Sequence, residues 1–331
     1  MPTTIKTSIA MATYNGANYI KDQLESFKKQ TLLADELIIC DDGSKDNTIK
    51  IIKSFQKHSP FDVKLYINNK RLGYGQNFGK ALSLCSGDLI FLSDQDDVWF
   101  KNKIEEMVNI VKHTPDKYFF MNDTILTDEN LKPSKITKLR QIKAVKNNIK
   151  SFVQGSCSAV KKDFLQLALP IPVDYKSHDN WLSELAIVLD LKFIYPVPLQ
   201  FYRIHANNTG KLYLNTPKKI YFYHKFINRL KKKTSISLDR KFEQEQDRLY
   251  EIIERISSKE MIDKNPYLNK NLIGKVMIRI RNNLKAIRER KKLHKKPRRK
   301  RVLLAIGLWM KGNYNNYFNG NYSFIRDIFF K

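Results

Sequence analysis

Residues 88–99 read DLIFLSDQDDVW, an apolar run that ends in three carboxylates within four residues. The segment 88–92 reads as a strand that buries Leu89, Ile90, Phe91 and Leu92 and then delivers Asp94, Asp96 and Asp97 at its carboxyl end. Like charges this close repel one another, and the arrangement is costly unless a cation neutralises them. Carboxylate oxygens suit Mg2+ or Mn2+, with the remaining positions left to water and phosphate. The competing reading is a solvated turn in which Asp96 or Asp97 caps a helix that begins near Phe100.

Upstream, β-rich runs at 8–12, 36–40 and 63–67 alternate with helical patterns at 19–29, 48–56 and 77–84. This rhythm predicts an α/β fold, a mostly parallel sheet with helices on both faces. Ligands of such sheets gather beyond the carboxyl ends of the strands. The polar turns Thr13-Tyr14-Asn15 and Asp41-Asp42-Gly43-Ser44 fall at two of those ends. Gly43 permits a tight turn and Ser44 or Asp46 can cap the next helix. Alternatively, a carboxylate of that turn accepts hydrogen bonds from a base N–H or a ribose hydroxyl. Two neighbouring strand ends would then line one nucleotide pocket.

Downstream, 155–160 reads as a strand, 181–189 as a helix, and 192–195 and 199–203 as short strands running into IHANNTG. Beyond Pro217 the chain becomes helical and basic, with one low-complexity segment, RERKKLHKKPRRKR, at 288–301. The net charge of +27 lies mostly in this region: Lys and Arg against Asp and Glu number 28 to 23 over residues 1–210 and 32 to 10 over 211–331. A balanced catalytic unit followed by a segment drawn to an anionic surface is the expectation. Cys40, Cys85 and Cys157 are odd in number and far apart, which argues against a disulfide framework or a cysteine zinc site. The amino-terminal residues lack the pattern of a signal peptide, and the apolar stretch 302–310 falls short of the roughly 20 residues of a membrane span. A cytoplasmic protein is expected.

Four segments in order, ATYNG (12–16), ICDDGSKDNT (39–48), NNKRLGYGQNFGKAL (68–82) and LSDQDDVW (92–99), resemble the donor-binding half of family 2 glycosyltransferases, which adopt the GT-A fold. SHDNWL (177–182) and YRIHANNTG (202–210) resemble the acceptor-side motifs of that family, most closely as in bacterial rhamnosyltransferases. The resemblance spans about residues 5–210. It implies a nucleotide-diphosphate sugar donor, a Mn2+ or Mg2+ cofactor and a glycan or lipid-linked acceptor of a surface polysaccharide. Thr13, Tyr14 and Asn15 would border the nucleobase, and Asp42 would contact it, with Asp41 supporting the turn. Arg71, Gly73 and Asn77 would approach the nucleotide or sugar. Asp94 would hold ribose or sugar hydroxyls and Asp96 would coordinate the metal, with Asp97 behind it.

Asp179 stands where the family carries its general base. Read without the resemblance it is an N-cap for the following helix. Many relatives have Glu-Asp where this chain has His178-Asp179, and Glu184 is the fallback base. Arg203 and His205 alternate at a strand end and so share a face. They would bind diphosphate and metal respectively, or else form a surface Arg beside a hydrogen-bonded His. Gln154, Gly155 and Trp181 would meet the acceptor.

The expected organisation is a GT-A catalytic domain over 1–210, donor half to about 105, and a basic helical extension over 211–331. The extension joins 298–301, all basic, to the apolar, Trp-bearing 302–310, which suits the surface of an anionic membrane. No nucleic-acid-binding module is recognisable. A nucleotidyltransferase is a competing reading, but it would usually carry a Gly-rich loop where residues 12–16 have one glycine. A non-enzymatic scaffold binding lipid or RNA is the other.

Overall fold

The parallel sheet begins with β1 (Thr7–Thr13), β2 (Glu36–Asp41), β3 (Asp62–Ile67) and β4 (Leu89–Ser93), paired in the order β3-β2-β1-β4. β2 and β4 are buried along their whole length. Helices cover both faces, so central parallel strands read as continuous apolar runs rather than alternating ones. The crossovers are α1 (Ile20–Lys28), α2 (Thr48–Gln56) and α3 (Tyr74–Leu84). Thr13 lies opposite Asp41 and Met11 opposite Ser93, so the turns after β1, β2 and β4 leave the sheet along one edge. Ile9, Met11, Ile39 and Phe91 pack with Phe27 and Trp99 in the core beneath them.

This computed structural model describes residues 4–173, 175, 177–206, 208, 214–221, 238–265, 267–316 and 320–329. The chain divides into two compact units, residues 1–231 and 232–331. The first unit continues through β5 (Val98–Trp99), α4 (Lys103–His113), β6 (Phe119–Thr127), β7 (Pro133–Thr137), α5 (Lys138–Ala144), β8 (Ser158–Lys161), α6 (Lys162–Ala168), α7 (His178–Val188) and β9 (Lys192–Arg203). β8 runs antiparallel to β4 and β6, whereas β9 is parallel to β6 and antiparallel to β5. The nine strands among the described residues therefore form a mixed sheet whose first four strands alone are uniformly parallel.

Several boundaries differ from expectation for physical reasons. The strand expected at 155–160 starts at Ser158, because Gly155–Cys157 form a single tight helical turn. The two short strands expected at 192–195 and 199–203 are one strand, in which the register against β6 slips between Asn122 and Asp123 opposite Pro196 and Pro198. Proline lacks the N–H that a continuous ladder needs. β6 itself was not among the expected strands. Helix α4 starts at Lys103 rather than near Phe100.

The second unit is helical: α8 (Leu238–Ser257), α9 (Lys259–Lys264), α10 (Lys270–His294), α11 (Arg298–Met310) and α12 (Gly320–Phe329). Phe242, Ile252, Ile256, Ile280 and Ile287 are buried in it. Within that core the Arg290 guanidinium donates to both oxygens of Asp327 at 2.6 and 2.7 Å. His294 lies 2.9 Å from the same carboxylate, and the Tyr314 hydroxyl donates to it at 2.8 Å. Burial alone would raise the Asp327 carboxyl, but these partners together hold it below the usual carboxylate range. No helix among the described residues is long and apolar enough to cross a membrane. Of the basic helical region expected beyond Pro217, residues 270–294 form α10, whereas 222–237 lie outside the described residues.

Candidate active site

A cavity of about 1090 Å³ opens beyond the carboxyl ends of β1 and β4. Of the residues picked out in the sequence, Thr13, Tyr14, Asn15, Arg71, Gly73 and Asn77 line it, together with Asp94, Asp96 and His205. Gln154, Gly155 and Asp179 line it as well. Asp41, Asp42, Trp181 and Arg203 do not reach it, and each is occupied elsewhere.

Asp41 is fully buried and satisfied within its own turn. Its oxygens accept from Thr13 Oγ1, Ser44 Oγ and the Ser44 N–H, each at 2.7 Å. Asp42, expected against a base, instead accepts from the Leu72 N–H at 2.7 Å, the Gly73 N–H at 2.8 Å and Asn68 Nδ2 at 3.0 Å. It acts as a clasp on the 71–73 loop. Gly73, at φ +81°, takes the left-handed turn there at no steric cost. The clasped loop brings the Arg71 guanidinium 4.0 Å from the centre of the Tyr14 ring. Asn77 lies on the wall, but its amide donates to the Cys40 carbonyl at 2.8 Å and accepts from Asn68 at 2.8 Å. Gln95, which sequence reasoning passed over, accepts from the Tyr14 N–H at 3.0 Å and donates to the Tyr14 carbonyl at 3.1 Å. It ties the turn after β1 to the acidic turn after β4.

The three carboxylates of that acidic turn have separate surroundings. Burial, reinforced by the charges of Asp96, Asp97 and Asp179, pushes the Asp94 carboxyl well above the usual range. Asp97 is fully buried and accepts from Gln200 Nε2 at 2.8 Å and the Arg203 N–H at 3.3 Å. Burial and the Asp96 charge push it up to about 7. Behind it lies Lys103, also fully buried, which donates to the Ser156 carbonyl at 2.9 Å and to Gln200 Oε1 at 2.5 Å. Burial pushes this ammonium down to about 8. Arg203 donates to the Asp96 carbonyl at 2.9 Å, the Glu129 carbonyl at 2.9 Å and Asp22 Oδ2 at 2.7 Å. Only 5% exposed, it braces the acidic turn from behind instead of facing a ligand.

His205 Nε2 lies 2.7 Å from Asp96 Oδ2, with Asn208 Nδ2 3.3 Å from the same oxygen. Tyr19 backs the imidazole at a ring distance of 4.4 Å. An imidazole nitrogen and a carboxylate oxygen meeting at a cavity wall are a donor set that Mn2+ or Mg2+ accepts, with phosphate and water completing the sphere. Among the described residues no group of three or more His, Cys, Asp or Glu side chains forms a complete cage.

Ser177 caps α7 through Asn180, which places Asp179 inside the first turn. Asp179 Oδ2 accepts from the Gly155 N–H at 3.2 Å, and Oδ1 contacts Ser177 Oγ and accepts from the Asn180 N–H at 2.8 Å. Glu184, the alternative base, lies off the cavity and accepts from the Tyr175 hydroxyl at 3.2 Å. Trp181, expected at the acceptor, is fully buried and donates to the Ala168 carbonyl at 2.7 Å. The motif position that pointed it at the acceptor is a core position. Lys138, Tyr202 and Asn215 line the cavity unforeseen. Lys138, 2% exposed, bonds Asn215 Oδ1, and burial pushes its ammonium down to about 8. Nothing in the local pattern distinguishes it from the many other lysines of the chain.

Residues 8–167 match the model of the family described as glycosyl transferase family 2. The chain is 40% identical over 103 residues to the dTDP-rhamnosyl transferase RfbG of Shigella flexneri, covering 30% of this chain and 36% of that one. It is 31% identical over 141 residues to the UDP-Glc:alpha-D-GlcNAc-diphosphoundecaprenol beta-1,3-glucosyltransferase WfgD of Escherichia coli, covering 41% and 54%. The matches thus span about a third to a half of these relatives' own lengths. Among solved structures, the mannosyltransferase PcManGT from Pyrobaculum calidifontis, in complex with GDP-Man and Mn2+, superposes with a TM-score of 0.52 at 15% identity. That superposition covers 99% of this chain and 88% of the other. At that identity the likeness is one of fold, and the fold is GT-A.

Proposed function

We propose, from the premise that residues 8–167 of this chain are a family 2 glycosyltransferase domain, that the protein transfers a sugar with inversion from a nucleotide-diphosphate donor to a glycan or lipid-linked acceptor. The observation that carries the reading is that Asp94, Asp96, His205 and Asp179 line one cavity, with the Asp179 charge acting on Asp94.

Inversion requires an acceptor hydroxyl to attack the anomeric carbon from the side opposite the departing diphosphate. Asp179 takes the proton of that hydroxyl; the Gly155 N–H and Ser177 hydroxyl on its carboxylate orient it for the task. Tyr14, Asn15 and Arg71 hold the nucleotide, and the Asp94 carboxyl offers donor sugar or ribose hydroxyls a hydrogen-bond partner. Asp96 and His205 would hold a Mn2+ or Mg2+ ion, which when bound supplies charge neutralisation to the diphosphate leaving group. The RfbG relationship supports rhamnose as the sugar to try first, and the WfgD relationship supports a lipid-diphosphate acceptor.

An exposed face of the second unit supports a place for the protein on the inner face of the cell membrane. Helix α11 opens with Arg298, Arg299 and Lys300 and then exposes Leu303, Leu304, Ile306, Trp309 and Met310, the first and last at 72% and 77%. Basic groups beside a shallow apolar face suit anionic headgroups over an acyl layer.

The test is a ligand-linked thermal-shift panel of dTDP-rhamnose, UDP-glucose, UDP-GlcNAc and GDP-mannose with Mn2+ or Mg2+, followed by transfer assays. Asp96→Ala is expected to lose the metal-dependent part of donor binding. Asp179→Asn is expected to keep donor binding and lose transfer by about 10²-fold or more. Unimpaired transfer by Asp179→Asn would remove it as the base.

A further inference from the structure

Four buried side-chain atoms without a hydrogen-bond partner among the described residues belong to two neighbouring side chains, Gln154 (Oε1 and Nε2) and His178 (Nδ1 and Nε2). Both are nearly closed off, at 8% and 4% exposure, and both lie on the cavity wall beside Asp179. Gly155 permits the arrangement: a Cβ there would stand 2.8 Å from His178 Nε2 and 3.6 Å from the Asp179 Cβ. The imidazole stacks on Phe78 at a ring distance of 3.9 Å. This packing fixes the imidazole in place, and the polar atoms of both side chains stay unanswered among the described residues. Such atoms have given up their hydrogen bonds to water, and a ligand that supplied partners would restore them.

The chemistry of the pair narrows the ligand. Burial, against the pull of the Asp179 charge, pushes the imidazole down to about 4, so near neutral pH it presents one N–H donor and one acceptor nitrogen. The carboxamide likewise presents a donor and an acceptor. Neither carries the positive charge that a phosphate prefers, and the adjacent Asp179 would repel an anion. A hydroxyl both donates and accepts, and vicinal hydroxyls on a ring match two such side chains set side by side.

We propose that Gln154 and His178 form a hydroxyl-reading subsite that grips the ring hydroxyls of a pyranose held beside Asp179 and thereby sets which sugar is accepted. This rests on the reading of the cavity as a sugar-transfer site. A site built to bond a hydroxyl rejects the analogue lacking it by factors up to about 10⁴, because its own polar groups are then stranded.

The test uses the full chain with Mn2+ and two near-isosteric variants, His178→Phe and Gln154→Met. Thermal shifts are measured with UDP, GDP and dTDP, and with UDP-glucose, UDP-GlcNAc, GDP-mannose and dTDP-rhamnose; the difference between the two sets isolates the donor sugar. Methyl glycosides of the same sugars, added to protein saturated with the nucleoside diphosphate, isolate the acceptor sugar. Both variants should keep the nucleoside diphosphate response and lose at least tenfold in affinity in one of the two sugar arms, which identifies the sugar being read. His178→Gln, which keeps a donor and an acceptor, should bind sugar with an altered ranking among the panel, and it decides the matter if the phenylalanine variant does not fold. Sugar affinities within twofold of the parent in both arms, with an unchanged ranking, would overturn the subsite and leave the transferase reading standing. A parent chain that responds to no nucleoside diphosphate and no sugar nucleotide would overturn that reading and the subsite with it.

Discussion

Asp42 and Asp96 are carboxylates that each follow a strand of the same sheet, and their duties differ because of what donates to them. Asp42 is saturated by the N–H groups of Leu72 and Gly73 and by Asn68. Among the described residues, the Asp96 carboxylate meets the ends of His205 and Asn208. Asp42→Ala is expected to strand two loop N–H groups, cost about 2 kcal/mol in chemical denaturation and weaken nucleotide binding through a loosened Arg71. Asp42→Asn should be milder in both measurements. Sequence places both residues at strand ends, but it does not show which backbone amides thirty residues away will turn towards them. His178 makes a separate pH prediction. Its imidazole titrates near 4 in the fold against an ordinary value of 6.5. Between those values the unfolded chain holds a proton that the folded chain refuses, so this contribution to stability is whole above about pH 6.5 and falls as pH drops towards 4. The span is worth about 3 kcal/mol, and His178→Phe should flatten that part of a stability-against-pH curve.

Among the elements, those whose contacts are local were the legible ones. β1, β2 and β4 declare themselves because a buried parallel strand needs an unbroken apolar run, and α1 and α2 because one face must be apolar. β9 carries two prolines and seemed two strands, since its continuity comes from a slipped pairing with β6 that no local pattern encodes. The cap of α7 is Ser177, so Asp179 lies two residues further into the helix than the N-cap position its sequence suggested. Ser177→Ala should cost about 1 kcal/mol and lower transfer by Asp179 more than it lowers donor binding. In the second unit, Asp327→Asn leaves the Arg290 charge buried without its partner, and a loss of about 3–5 kcal/mol is expected for that unit. Because the Asp327 carboxyl is held below its ordinary value, the stability it contributes is present above that value and is lost as pH falls through the depressed one. The asparagine variant should therefore lose the acid-side slope of unfolding of the second unit.

At the scale of the molecule, the charge split seen in composition corresponds to two compact units whose boundary lies near residue 231, somewhat beyond the end of the family resemblance. If α11 meets a membrane, full-length protein should co-sediment with vesicles containing anionic lipid and lose most of that binding on Leu303→Glu with Met310→Glu, or in high salt. Equal sedimentation of the double variant would remove this surface as the anchor. One consequence belongs to the order in which the chain is made. The Asp96 carbonyl is braced by Arg203, 107 residues downstream, and its carboxylate meets His205, 109 residues downstream. A ribosome adding about 5–20 residues per second exposes the acidic turn roughly 5–20 s before either partner exists. During that interval the acidic turn lacks both of these partners, and the segment from Arg203 to His205 that supplies them is made last.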